Sequence, residues 1–352
     1  MINLEDKFSV RPVNRLFEEE LQQKIDSKTK PLGSLGVLED LVLQIGLVQQ
    51  TLEPTLNRPS VMVFAGDHGI VAEKVSPYPQ EVTQQMVINF LEGGAAINAF
   101  TRQHGLDLWV VNSGVSASEL SDISHPRCLQ CRVGPGTKNF AREAAMTWCE
   151  MDDALEKGRE IVQARIREGS NILGFGEMGI GNSSAAAAVI SLVTGAPVRE
   201  TVGPGSGCDS EALDHKLKVL EAALMKHRDH DGPLDALRRV GGFEMVMMLG
   251  GMLKASQEGA LILVDGLIVS SVALVAVKLF PEIEDYLIFC HRSAAPGFKV
   301  IEGELGVKPL LDLNMRLGEG SGVAVAFPII ESALAFNKDM ATFDGAAVSS
   351  AE

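Results

Sequence analysis

The sequence predicts an α/β protein whose core is a parallel sheet of about six strands flanked by helices. Three observations carry that reading. Short, nearly continuous apolar runs recur along the 352-residue chain, segments of helical periodicity separate most of them, and each run ends in Gly, Asp, Ser or His. An apolar run without alternation suits a strand buried on both faces, the condition of a parallel sheet held between helical layers. Ligands of such sheets bind beyond the carboxyl ends of the strands, so the polar strand ends are where chemistry is expected.

The elements follow in order. Phe17, Leu21 and Ile25 make one stripe across residues 14–28, and Leu38, Leu41, Val42, Ile45 and Val48 repeat it over 35–51, with Ser34 read as the N-cap. Pro54 and Pro59 bracket a linker, after which the texture changes to apolar strands and glycine-rich turns. The strands expected are 61–65, 108–112, 171–175, 261–265 and 287–290, with a weaker one at 128–133. Residues 323–336 return to helical spacing and are expected to pack back on the opening pair. The chain therefore divides into residues 1–58, residues 59–305, and residues 306–352, which return to the first unit.

Composition narrows the function. With 31 basic and 46 acidic residues the formal net charge is −15, and no basic patch is visible, which excludes nucleic acid as a partner. The first fifteen residues mix Glu5, Asp6, Lys7 and Arg11 with apolar positions, unlike a secretory signal. The longest apolar run, 260–279, is broken by Asp265, Gly266, Ser270 and Ser271, and reads as a strand followed by a helix rather than a membrane span. Five cysteines do not describe a disulfide framework, and Cys128, Cys131 and Cys149 with His125 are read as free thiols near a strand rather than a zinc site. These features indicate a cytoplasmic protein without a metal. The run His227-Arg228-Asp229-His230-Asp231 is read as a solvated helix terminus.

Four stretches carry chemistry. In Leu317-Gly318-Glu319-Gly320-Ser321-Gly322 one carboxylate stands among three glycines. Glycine permits positive φ and close ligand approach, so this loop is shaped to hold an acid beside a substrate; the bland alternative is a turn with an exposed Glu. Gly174-Phe175-Gly176-Glu177-Met178-Gly179 matches G-x-G-x-x-G, with Glu200 near the distance of a ribose-binding acid, which would make an NAD-dependent oxidoreductase. Glu177 inside the loop argues against a pyrophosphate there. The continuation Gly179-Ile180-Gly181-Asn182-Ser183-Ser184 before an Ala-rich helix is the better anion site, with backbone N–H groups, a positive dipole end and capping hydroxyls suited to a phosphate monoester. The turn Gly203-Pro204-Gly205-Ser206-Gly207 precedes a helix whose Lys216 could add a point charge to the same phosphate. Gly66-Asp67-His68-Gly69, Asn112-Ser113-Gly114, Asp265-Gly266 and His291-Arg292-Ser293 end other strands. Asp67 and His68, being adjacent, point in opposite directions and are given a supporting role.

Lys30-Pro31-Leu32-Gly33-Ser34-Leu35-Gly36, Ala65-Gly66-Asp67-His68-Gly69, Gly176-Glu177-Met178-Gly179-Ile180-Gly181-Asn182 and Leu317-Gly318-Glu319-Gly320 occur in this order across nearly the whole chain. Together they resemble the nicotinate-nucleotide–dimethylbenzimidazole phosphoribosyltransferase family. The chain departs from the family's Ser-Ala-Glu-Pro-Gly-His at Ala295 and Phe298.

The resemblance implies a Rossmann-like sheet with a small helical domain from both chain ends, a homodimer, and no cofactor. It implies transfer of phosphoribose from nicotinate mononucleotide to a benzimidazole-type base in cobalamin lower-ligand assembly. Glu319 would be the catalytic base, with Glu177 near the ribose. Gly179, Gly181, Asn182, Ser183, Gly205, Lys216 and Ser293 would hold the nucleotide, and Tyr78, Gln85, Met86, Met178 and Leu317 would form the acceptor pocket. The competing readings are the oxidoreductase and a nucleotide sensor without catalysis.

Overall fold

A computed structural model describes residues 2–349 except Ser206 and Cys208, so two members of the 203–208 segment lie outside the described residues. The chain opens with helices α1 (Glu18–Asp26) and α2 (Val37–Gln49) and enters the sheet at β1 (Ser60–Gly66). Helices α3 (Glu81–Glu92) and α4 (Ala96–His104) lead to β2 (Asp107–Gly114) and β3 (Cys128–Gln130), and α5 (Trp148–Arg167) leads to β4 (Ile172–Met178). Next come α6 (Asn182–Thr194), α7 (Val198–Thr201), α8 (Ser210–His227), α9 (Gly232–Val240) and α10 (Phe243–Gln257) before β5 (Leu261–Val264). Helix α11 (Leu267–Leu279), β6 (Leu287–Phe289), α12 (Gly297–Leu305), α13 (Ser321–Asp339) and α14 (Phe343–Ala346) complete the chain.

The strand order is β3-β2-β1-β4-β5-β6, and every pairing is parallel. The expected α/β class and six strands are observed. The chain winds outward from β1 through β2 and β3, then returns to build β4, β5 and β6 on the other side, so the crevice between β1 and β4 is the topological switch point. The apolar runs explain the placement: all seven residues of β1 and all four of β5 are buried. Phe64 of β1 and Phe175 of β4 stack with centroids 5.9 Å apart, tying the strands that flank the switch point.

Helix α10 is buried from Phe243 to Ser256, which its sequence allows because almost every position is apolar or small. It packs against α5 at close range: a side chain at Gly158 would collide with the Met247 carbonyl, and one at Gly250 with the Leu155 carbonyl. Helix α5 starts at a capping box, Thr147 accepting from Glu150 N while the Glu150 carboxylate accepts from Thr147 N. Helix α13 lies against α2 and α4, and α2 against α1.

Two local expectations need correction. Ser34 does not cap α2; Gly36 occupies that position at φ 53°, because the chain turns back sharply between Pro31 and Gly36. The run 227–231 is not simply solvated either: His227 is buried with Nε2 2.7 Å from the Phe140 carbonyl, and His230 Nε2 lies 3.1 Å from the Leu192 carbonyl. Both imidazoles fasten the end of α8 to neighbouring backbone.

Candidate active site

A cavity of about 720 Å³ opens at the carboxyl ends of β4, β5 and β6, and the two glycine-rich motifs form much of its wall. Gly318, Glu319 and Gly320 form a run of three left-handed residues, with φ of 90°, 64° and 81°. A glutamate in this region is costly, on the order of 1–3 kcal/mol, and persists only where its surroundings hold it. Ser321 Oγ donates to the Gly318 carbonyl, and Asp265 accepts from Gly320 N at 3.0 Å and Gly322 N at 2.7 Å. The Glu319 side chain is buried, and its Oε2 accepts from Ile97 N at 3.3 Å in the first turn of α4. Burial raises its carboxyl above the ordinary range, opposed by the Ile97 N–H and reinforced by the charge of Asp265.

Glu177, near the end of β4, faces the same cavity. Burial pushes its carboxyl up to about 8, the charges of Asp265, Glu244 and Glu319 add to the effect, and a hydrogen bond from Asn182 Nδ2 opposes it. It is therefore a neutral acid near pH 7. Gly179 to Ser183 follow, with Gly181 at φ 95° forming the N-cap of α6. The expected capping hydroxyls are not used as caps: Asn182 turns to Glu177, and Ser183 Oγ accepts from Lys216 Nζ at 3.1 Å. Lys216 is only 2% exposed, so this lysine of α8 is no ordinary surface cation; Nζ also reaches the Gly203 carbonyl at 3.4 Å. One cradle thus combines an ammonium, a hydroxyl and a helix amino end, the elements of a phosphate site.

Glu319, Glu177, Gly179, Gly181, Asn182, Ser183, Gly205, Lys216, Ser293, Tyr78, Met86, Met178 and Leu317 all line this cavity. Tyr78 and Leu317 stand at its rim, exposed, while Met86 and Met178 are half-buried. Gln85 is not brought in: it is exposed on α3, roughly 100° around the helix from the cavity-facing Met86. The departures from the expected motif separate cleanly, since Ala295 lines the cavity whereas Phe298, in the first turn of α12, is wholly buried in the core.

The G-x-G-x-x-G match has a different physical cause from nucleotide binding. Gly174 and Gly176 lie inside β4, not in a turn after it. A side chain at Gly174 would meet Val323 Cγ1 at 2.6 Å, one at Gly176 would meet Gly320 N at 2.5 Å, and one at Gly179 would strike the Gly66 carbonyl. All three glycines make room for protein. Glu200 is exposed on α7 and lines no part of the cavity.

Sequence reasoning missed several neighbours. Asn314, at φ 56°, and Arg316, whose Nη1 donates to the Gly205 carbonyl at 3.1 Å, line the cavity beside Ser183 and Lys216. Glu244 is fully buried, with Oε1 2.8 Å from His68 Nε2. Burial works against a charged His68, but the charge and hydrogen bond of Glu244 prevail and raise its pKa. Asp67 accepts from Ser116 N and Oγ at 2.7 and 2.8 Å, so Asp67 and His68 face different partners as adjacency requires. The cation beside Leu317 was a usable signal for Arg316; a glutamate inside an apolar helix was one for Glu244. Among the described residues no cluster suited to a metal ion occurs, and no helix is long and apolar enough to cross a membrane.

Comparison with known proteins agrees with this geometry. Residues 10–348 match the phosphoribosyltransferase family. The nicotinate-nucleotide–dimethylbenzimidazole phosphoribosyltransferase of Ralstonia nicotianae is 49% identical over 329 residues, 94% of this chain and 93% of that protein. Its namesake in Dechloromonas aromatica is 48% identical over 339 residues, 95% of this chain and 96% of that protein. The crystal structure of CobT from Thermus thermophilus superimposes with a TM-score of 0.90 at 41% identity, covering 95% of this chain and 99% of that one. Neither the oxidoreductase nor the sensor reading finds support in these matches, and the chain belongs to the nicotinate-nucleotide–dimethylbenzimidazole phosphoribosyltransferase family.

Proposed function

We propose that this phosphoribosyltransferase moves the 5-phosphoribosyl group of nicotinate mononucleotide onto 5,6-dimethylbenzimidazole or a related base, releasing nicotinate and forming α-ribazole 5′-phosphate in cobalamin lower-ligand assembly. The observation that carries the reading is a single cavity lined by a buried, conformationally fixed carboxylate, Glu319, and by a phosphate cradle at Gly179–Ser183 with Lys216.

The chemistry suits these groups. A base nitrogen lone pair attacks C1′ while the C1′–N bond to the pyridinium breaks, and the ring leaves with that electron pair as nicotinate, its pyridine nitrogen now neutral. Departure requires no acid. Positive charge developing on the incoming benzimidazole makes its other N–H acidic, and the Glu319 carboxylate takes that proton. A carboxyl raised by burial is a stronger base than an exposed one. Attack opposite the leaving ring inverts C1′ from β to α. Glu177, neutral near pH 7, donates a hydrogen bond to a ribose hydroxyl. Tyr78, Met86, Met178 and Leu317 form a largely apolar bed for a flat acceptor.

The working unit is a homodimer in a reducing cytoplasm. Support comes from exposed Leu32, Leu313, Leu317 and Tyr78, apolar surface that a second copy would cover, and from free thiols at Cys128, Cys131, Cys149 and Cys290. The Leu32 loop is braced by Lys30, which pairs with Glu39 at 2.9 Å.

The assay is incubation with nicotinate mononucleotide and a panel of benzimidazoles, purines and phenols, with products identified by mass. Formation of a ribotide plus free nicotinate is expected. Nucleotide binding without turnover on any base would leave only the sensor reading.

A further inference from the structure

We propose that Asp265 is the positioning residue of the catalytic loop, a buried carboxylate clamp that holds Glu319 in its left-handed conformation. The inference rests on the assignment of Glu319 as base. Asp265 does not line the cavity; it stands behind the loop, in the turn between β5 and α11, and is 1% exposed.

Three observations converge on it. Its two oxygens are divided between the backbone on either side of Ser321: Oδ2 takes Gly320 N at 3.0 Å and Oδ1 takes Gly322 N at 2.7 Å. Gly320 is the N-cap of α13 and Gly322 its second residue, so these N–H groups have no partner within the helix, and an acid there is favoured by the helix dipole as well. Second, the clamp begins immediately after Glu319, whose φ of 64° is strained for a side-chain-bearing residue and requires support from outside the loop. Third, the glycine at 322 is needed for the clamp itself, because a Cβ there would fall 2.6 Å from Asp265 Oδ1 and collide with His291 Cδ2. His291, at the end of β6, closes the arrangement with Nε2 3.5 Å from Asp265 Oδ1.

The groups facing this cluster come from several elements. They are Glu177 on β4, Glu244 on α10, the Cys290 thiol and His291 after β6, and the N–H end of α4 at Ile97. The charge of Asp265 acts on both working acids, since it raises Glu319 and is the largest of the charge effects raising Glu177. A clamp of neutral acceptors would bridge the same two N–H groups more weakly and leave both carboxyls nearer their ordinary range. That difference separates this role from simple structural support.

The test compares wild type, Asp265→Asn and Glu319→Gln as full-length proteins, with nicotinate mononucleotide and dimethylbenzimidazole as probes. Asp265→Asn keeps shape and one acceptor while removing the charge and the second acceptor. Turnover is expected to fall about 10–100-fold, with KM for the mononucleotide changed less than about threefold. The acidic limb of the kcat profile is expected to move to lower pH, because the variant lowers the Glu319 pKa. Unchanged turnover, a KM effect alone, or a turnover loss with the limb unmoved would each overturn the proposal. Active Glu319→Gln would instead sink the base assignment, whatever Asp265 does. Should Asp265→Asn not fold, Gly322→Ala breaks the same clamp from the loop side with the charge retained. It should lose turnover by a similar factor while the mononucleotide still raises Tm, and wild-type turnover in it would overturn the clamp.

Discussion

The segment at residues 174–184, from β4 into α6, and the loop at 317–322 are both glycine-rich, yet they use glycine for opposite ends. In β4, Gly174 and Gly176 have ordinary strand conformation and matter for what they lack, a Cβ, so that Val323 and the Glu319–Gly320 backbone can rest directly on the strand. In the loop, Gly318 and Gly320 matter for the φ they permit, and they carry Glu319 into the same region. One motif makes a ledge; the other makes the conformation that the ledge supports. The fingerprint reading of 174–179 fails for this reason, since a pattern of absent side chains reads alike whether a pyrophosphate or another segment of the chain fills the space.

If the loop carries chemistry and the turn carries binding, they should separate in kinetics. The largest effect belongs to Glu319→Gln, which keeps shape but cannot accept a proton: turnover should fall roughly 10²–10⁴-fold, while the mononucleotide still raises Tm. Near-normal turnover would remove Glu319 from the mechanism. Lys216→Ala should act on the other side of the comparison. Losing a charge-assisted hydrogen bond of about 1.5–3 kcal/mol should raise KM for the mononucleotide roughly 10–150-fold and leave the acceptor base little affected. Nicotinate riboside lacks the phosphate, so wild type and variant should handle it alike; an equal defect there would mean that Lys216 acts through folding or catalysis.

The ledge itself can be broken at two neighbouring points. An alanine at 176 would press on the Gly320 N–Glu319 C peptide at 2.5 and 2.7 Å, backbone that cannot rotate away. Displacement of Glu319 should lower turnover roughly 10–100-fold with the Ser183–Lys216 cradle intact. An alanine at 174 meets only side chains, Val323 first, so it should destabilise by about 1–3 kcal/mol and spare turnover. Equal kinetic losses at both sites would show that the strand is merely intolerant of bulk.

These contacts also mark the limit of what sequence can reveal. The strands were legible because Val61–Phe64 and Leu261–Val264 are buried on both faces and so lack alternation. That Glu319 and Lys216 line one cavity was legible from local setting and motif order. The pairing of Gly176 with Gly320, of Asp265 with Gly322 and of His68 with Glu244 was not, because each joins residues 57 to 176 positions apart or spans two strand ends whose approach only the fold decides. Gln85 shows the reverse failure: one residue from Met86 in sequence, it faces away because a helix turns about 100° per residue.

The smallest expected effect concerns Glu177, which belongs to both regions: it ends the ledge, and a side chain at Gly318 would collide with its Oε1. Its carboxyl is raised from the ordinary 4.5 to about 8, mainly by burial and then by the charge of Asp265. The native state thus holds this proton more tightly than the unfolded chain does. The resulting stabilisation is complete below the unfolded pKa and is lost as pH rises through the folded one. Wild-type Tm should therefore decline between about pH 5 and pH 9, partly on account of Glu177. Glu177→Gln is neutral throughout, so the two proteins should melt together near pH 5, and the variant about 5 °C higher near pH 9. A residual slope in the variant is assigned to Glu319, raised in the same direction. Parallel melting curves across that range would mean that Glu177 is already ionised at neutral pH, and its role as hydrogen-bond donor to the ribose would fall with that result.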